Sequence, residues 1–210
     1  MNRHLMKHLF FQIIVAAVAV CCLGGLAEAQ SDGSVTNQER RYEEVIDKRA
    51  DKIVQALRLA DTNAEQAVQG IIVKQYHDLN AWHAANDAEV KLAARRNPAQ
   101  LASLRSSLLA LHQSFLDSLA QWLNESQIEA VKDAMTYGKV QFTFAGYCAQ
   151  YPNLTEANKQ VILRMLKEAR EEAMDQGNAH DKIAVFQKYK GKINNYLSKS
   201  GIIQLKKKKG

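Results

Sequence analysis

Between Gln38 and about Leu59, apolar residues fall at Tyr42, Val45, Ile46, Ile53, Val54 and Leu57, the spacing of one helical face. Thr62-Asn63-Ala64-Glu65 then reads as a capping box, its hydroxyl and carboxylate satisfying free amides at a second helix start. Along that helix runs a stripe of Val68, Ile72, Gln75, Leu79, Trp82, Asn86 and Val90, with Ile71, Tyr76 and His83 beside it. Asn97-Pro98 opens a third helix, because proline at the first helical position gives up an amide that has no partner anyway. Leu101, Leu104, Leu108, Leu111, Phe115, Leu119 and Trp122 follow at alternating spacings of three and four. This leucine-rich helix is expected at the centre of the packing.

Asn124-Glu125-Ser126-Gln127 starts a shorter helix through Ile128, Val131 and Met135, with Gly138 in the usual place after a last turn. Val140, Phe142 and Phe144 alternate with polar residues, which predicts an extended connector. Tyr151-Pro152-Asn153 breaks the chain. Thr155 caps a helix carrying Val161, Ile162, Met165, Leu166, Ala169 and Met174, which ends at Gly177. A last helix is predicted from about Ala179 to Ser198, with Gly201 beyond it. No stretch alternates long enough to build a sheet, since one isolated strand is not stable. The expected fold is all-α, a single bundle-like domain of about five to six helices over 38–201.

The start of the chain changes the picture of where this domain works. Arg3 and Lys7 precede an almost unbroken apolar run from Leu9 to Leu26, and Ala27-Glu28-Ala29 forms a small-x-small cleavage site. Residues 1–29 therefore read as a cleaved signal peptide and 30–37 as a polar linker. The protein is expected to be exported, periplasmic or extracellular, and to meet a membrane only transiently through its leader. Cleavage would remove Arg3, Lys7 and Glu28 and so lower the net charge of +6 by one. It would also remove Cys21 and Cys22, leaving Cys148 alone and no intramolecular disulfide possible. The positive balance suits acidic partners such as an anionic polysaccharide, lipid headgroups or nucleic acid, and export argues against nucleic acid. The basic tail 202–210, with Lys206 to Lys209, reads as a solvated end.

Several segments together resemble a known family. Leu123 to Gly138, ending Lys132-Asp133-Ala134-Met135-Thr136-Tyr137-Gly138, is similar to the exported bacterial helical proteins catalogued as domain of unknown function 3826. So are Tyr151 to Thr155, Glu168 to Asp175, and Phe186 to Leu197, the similarity spanning about Asp51 to Gly201. The resemblance implies an all-α fold and export, and names no reaction; it carries a contextual tie to breakdown of plant or algal polysaccharides. Leu123-Asn124-Glu125-Ser126-Gln127 and Leu154-Thr155-Glu156-Ala157-Asn158 are also similar to the Leu-Thr-x-x-Gln motif of small periplasmic helical chaperones. Asn replaces Thr in one copy and Gln in the other, and any well-capped helix after a buried Leu has this form.

Candidate chemistry concentrates in the last helix. At 100° per residue, Ile183, Phe186, Tyr189, Ile193, Tyr196 and Leu197 fall on one arc, and Lys190 falls inside it. A buried, unpaired ammonium is costly, so Lys190 snorkels to water, pairs with a carboxylate, or lines a pocket. Gly191 and Asn195 lie opposite, where such poor helix formers mark either a kink or a functional face. His83 and Asp87 are spaced for a surface hydrogen bond, and His112 adjoins the leucine stripe as a partly buried, satisfied side chain. No phosphate loop, nucleophile elbow or paired-cysteine metal motif occurs, so no metal or cofactor is expected.

Two kinds of function remain. One is a non-catalytic module binding an exported partner protein or an anionic glycan through Tyr137, Arg170, Lys188, Lys190, Asn194, Asn195 and Tyr196. Aromatic faces stack on sugar rings, and amines and amides donate to carboxylates and hydroxyls. The other is a carbohydrate-active enzyme, lyase-like or a hydrolase, in which Tyr137, Tyr196, Lys190 or Arg170 transfers protons or neutralises charge. A chaperone-like role is a third reading. Convergence of Tyr137, Arg170, Lys190 and Asn194 on one concave pocket would favour a glycan or enzyme site, and their scattering over a convex surface would leave partner binding.

Overall fold

The computed structural model describes residues 32–203. The leader, Cys21, Cys22 and the Lys206–Lys209 run lie outside the described residues. Cα packing divides the chain into Met1–Arg41 and Tyr42–Gly210. In the first unit the described residues are helical, and Arg40 donates to Asn37 one turn earlier at 2.6 Å. All that follows concerns the second.

Seven helices are described, not five or six: α1 Asp32–Leu57, α2 Thr62–Arg96, α3 Pro98–Ala120, α4 Glu125–Met135, α5 Lys139–Gln150, α6 Glu156–Met174 and α7 Ala179–Lys199. No strand occurs among the described residues, and the protein is all-α. α1 begins inside the stretch read as a polar linker. Where the alternation of Val140, Phe142 and Phe144 suggested an extended connector, the chain is helical. Val140, Thr143 and Tyr147 are buried at helical spacing, and Phe142, which created the period of two, is 73% exposed. The cap of α2 also shifts by one residue: Asp61, not Thr62, accepts from the Asn63 amide, at 2.8 Å. Asn97, Asn124 and Thr155 cap α3, α4 and α6 as expected. The last two form reciprocal boxes with Gln127 and Asn158, so local capping accounts for both Leu-x-x-x-Gln-like motifs.

Apolar side chains gather in two clusters. One joins α1, α2, α3 and α4 through Ile53, Val68, Ile72, Phe115, Leu119 and Val131, with Met174 of α6 reaching into it. The other joins α5, α6 and α7 through Tyr147, Ile162, Leu166, Phe186, Ile193 and Leu197. The helix at the centre is therefore α6, which packs against α4, α5 and α7, and not the leucine-rich α3. α3 packs chiefly on α2 and less on α4; Leu101, Leu104, Leu108 and Leu111 stay half-buried and Trp122 is exposed. From Leu101 to Leu111 the stripe is only half covered, while Phe115 and Leu119 at its far end are buried in the cluster with α1 and α4.

α7 runs unbroken through Gly191, which is exposed and whose added Cβ would meet nothing within 4 Å. Gly191→Ala should thus raise stability by about 0.5–1 kcal/mol, since alanine loses less backbone entropy in a helix. A lowered melting temperature for this variant would show that the glycine face is engaged.

Candidate functional site

The α4–α5 turn is built in an unusual way. The Gly138 amide donates to the Asp133 carbonyl at 2.8 Å and the Tyr137 amide to that of Ala134 at 3.1 Å, the two bonds of a Schellman ending. The residue in its left-handed position is normally glycine, and here it is Tyr137, with φ 60°. α7 ends in the same motif with glycine in that place: Gly201, φ 75°, follows Ser200, and the Ile202 amide bonds the Leu197 carbonyl at 2.9 Å. A Cβ in this conformation costs about 1–2 kcal/mol. Among the described residues one other non-glycine residue shares it, the exposed Arg58 at the end of α1. Strain of this kind collects at functional sites, where the side chain must be held in place.

Tyr137 is 47% exposed and lines a small pocket. The pocket is bounded by Tyr42, Ile46 and Arg49 of α1, Tyr76 and Leu79 of α2, the loop 176–178, and Ala179 and Lys182 of α7. Lys182 is 4% exposed. Its Nζ donates to the Met135 carbonyl at 3.3 Å and lies 5.7 Å from the centre of the Tyr76 ring. Burial, with the nearby Arg49 charge adding to it, pushes the ammonium down to about 8. Burial likewise pushes the Tyr76 phenol up to about 12. The Tyr42 hydroxyl donates to the Tyr76 carbonyl at 3.1 Å, tying α1 to α2 along the pocket wall. The buried amine on α7 is thus Lys182, not Lys190. It extends the stripe Phe186, Tyr189, Ile193 one turn toward the N-terminus, where the sequence reading had placed the exposed Ile183.

Two histidines hold the loop that forms one side of the pocket. His83 of α2 lies 2.7 Å from the Asp175 carbonyl through Nε2, and 2.8 Å from Asp87 through Nδ1. A Cβ at Gly177 would meet its ring at 3.0 Å, so a larger residue there would press on the imidazole. His112 of α3 places Nδ1 2.8 Å from Asp175 and Nε2 3.4 Å from Glu171. Its bonds to Asp175 and then Glu171 raise it to about 9 against the opposing effect of burial. For Glu171, burial acts upward, but bonds from His112, Arg170 and Lys132 prevail and hold it near 2.

This histidine carries a testable pH dependence. A raised pKa in the folded state contributes stability that is complete below the unfolded value of about 6.5 and is lost as pH rises through about 9. The stability gap between the protein and His112→Gln should therefore narrow by up to about 3 kcal/mol between pH 6 and pH 10, read from urea midpoints. Lys182, lowered, changes stability in the opposite sense above pH 8, but it is common to both chains and cancels. A gap independent of pH would show that His112 is neutral in the fold.

The remaining expected site residues do not converge. Arg170, 2% exposed, braces α6 to α4: Nη1 donates to Asp133 and Nη2 to Glu129, each at 2.7 Å, and Nη2 also to Glu171 at 2.9 Å. Lys132 and Lys167 add bonds to Glu171 and Glu129, so the charges in this network are matched. A groove of about 440 Å³ runs beside it, lined by Glu125, Glu129, Asp133, Gln141, Lys167 and Arg170 among others. Lys188 pairs with Glu172 at 2.6 Å on the surface. Lys190 is half-buried, and its carbonyl and Asn194 both accept from the Tyr147 hydroxyl, at 3.2 and 2.9 Å. Tyr196 accepts from Asn158 at 3.0 Å, and Asn195 is exposed. Of the named residues only Tyr137 reaches the pocket. Cys148 is free and half-buried. No cluster suited to a metal ion occurs among the described residues.

Fold and pocket together define an all-helical protein with a small recess lined by tyrosines and two cations. Residues 43–210 match the family model described as Protein of unknown function (DUF3826), and the chain belongs to that family. No curated protein matches it. Among the described residues no helix is long and apolar enough to cross a membrane.

Proposed function

We propose that this protein is an exported, non-catalytic helical module that binds an acidic glycan at the Tyr137 pocket. The observation that carries the reading is the contrast between two identical helix endings, one closed by Gly201 and the other by a strained, half-exposed Tyr137. The strain keeps a phenol at a recess that Arg49 and Lys182 also line, a combination suited to a sugar ring that bears negative charge.

The test separates binding from folding. Tyr137→Gly relieves the left-handed strain and should raise stability by about 1 kcal/mol, while acidic oligosaccharide binding falls by at least about tenfold. Calorimetric titration and thermal melting of the same samples read both. Unchanged affinity in the stabilised variant would remove the glycan reading.

A second reading, an exported partner protein, draws on the exposed Leu92, Leu109, Trp122 and Phe142. Such side chains mark an interface where they form one contiguous patch, whereas scattered ones are ordinary on a protein surface.

A further inference from the structure

The recess is small, its enclosed space being about 30 Å³. That is room for about one or two water molecules and far too little for a sugar ring. No carboxylate lines it, although Arg49 and Lys182 both do. The neighbouring amides are engaged elsewhere: Asn178 donates to Asp181 and Gln176 to the Glu172 carbonyl. Lys182 has three donors and one hydrogen bond, the 3.3 Å contact to Met135, although its side chain is almost wholly removed from water. The first turn of α7 borders the recess at Ala179, and a helix N-terminus favours negative charge.

We propose that the recess seats a single carboxylate group of a chain-terminal uronic acid between Lys182 and Arg49, with the sugar ring outside against Tyr137. This deepens the glycan reading and rests on it: the ligand is taken end-on, not along the chain. A planar carboxylate matches the space better than a bulkier tetrahedral sulfate or phosphate, which also asks for more donors. The groups facing the seat are Tyr42 and Arg49 from α1, Tyr76 from α2, Tyr137 from the turn and Lys182 from α7. Asp175, at the end of α6, is held by His112. Lys182 loses its charge near pH 8, so affinity falls as pH rises through that value.

The experiment is calorimetric titration of the full chain with galacturonic acid, its linear trimer, its methyl ester and galactose. The expected result is equal affinity for the acid and the trimer, at least about tenfold weaker binding of the ester and galactose, and loss of binding in Lys182→Met. That variant keeps its helical circular dichroism, because an apolar chain replaces a buried ammonium. Arg49→Gln, at an exposed position, weakens binding without touching the core. A trimer bound at least about tenfold more tightly than the monomer, with Lys182→Met unaffected, would overturn end-on seating and leave glycan binding standing. Absence of binding by every acidic sugar would overturn both.

Discussion

Arg170→Leu is expected to lower stability by about 3 kcal/mol, although the sequence singles this arginine out as a ligand contact. Its guanidinium is buried, and Glu129, Asp133 and Glu171 all accept from it. Removing the cation leaves three carboxylates close together, with Lys132 and Lys167 too few to neutralise them. Breaking a buried ion pair from one side typically costs about 3–5 kcal/mol, because the other charges stay desolvated. The low end applies here, since the three acids keep roughly a third of their side-chain surface in water (33%, 30% and 36%). Urea denaturation at neutral pH measures the loss. A near-normal midpoint would mean that the acids turn outward freely and that α6 is held to α4 by apolar contact alone.

Leu166→Ala is expected to cost about 2–5 kcal/mol, and Leu108→Ala less than about 1.5 kcal/mol. Leu166 is fully buried in the cluster shared by α5, α6 and α7, where a truncated side chain leaves a cavity bounded by three helices. Leu108 lies half-open on the α2–α3 hairpin, so water already reaches much of the surface that truncation would expose. The pair tests which helix is central. Equal losses, or the larger loss at Leu108, would mean that α3 is covered by something the fold of one chain does not supply.

The helix starts were legible because each rests on residues a few positions apart. Asn97-Pro98, Asn124 with Gln127, and Thr155 with Asn158 satisfy their own free amides, so no distant contact is needed to read them. α5 was misread because a three-residue alternation has two periodic explanations, and only the docking of Val140 and Tyr147 against α6 and α7 decides between them. The pocket was illegible for a related reason. Tyr42, Arg49, Tyr76, Tyr137 and Lys182 belong to three helices and a turn, and nothing local announces that they meet. Tyr137 stands in the family-like run Lys132 to Gly138, but nothing in that run announces its left-handed backbone. Lys182 was missed because the α7 stripe was begun at Ile183, one residue away from its true register.

By itself, the sequence determined the helical class, most of the helix boundaries, the single described cysteine and the family, since periodicity, capping and motif similarity are properties of neighbouring residues. Tertiary structure alone decided that α6 and not α3 is central, that Arg170 braces rather than binds, and that Lys182 is the lysine deprived of water. Burial is a property of what packs over a residue, and two positions with the same local pattern differ when only one is covered.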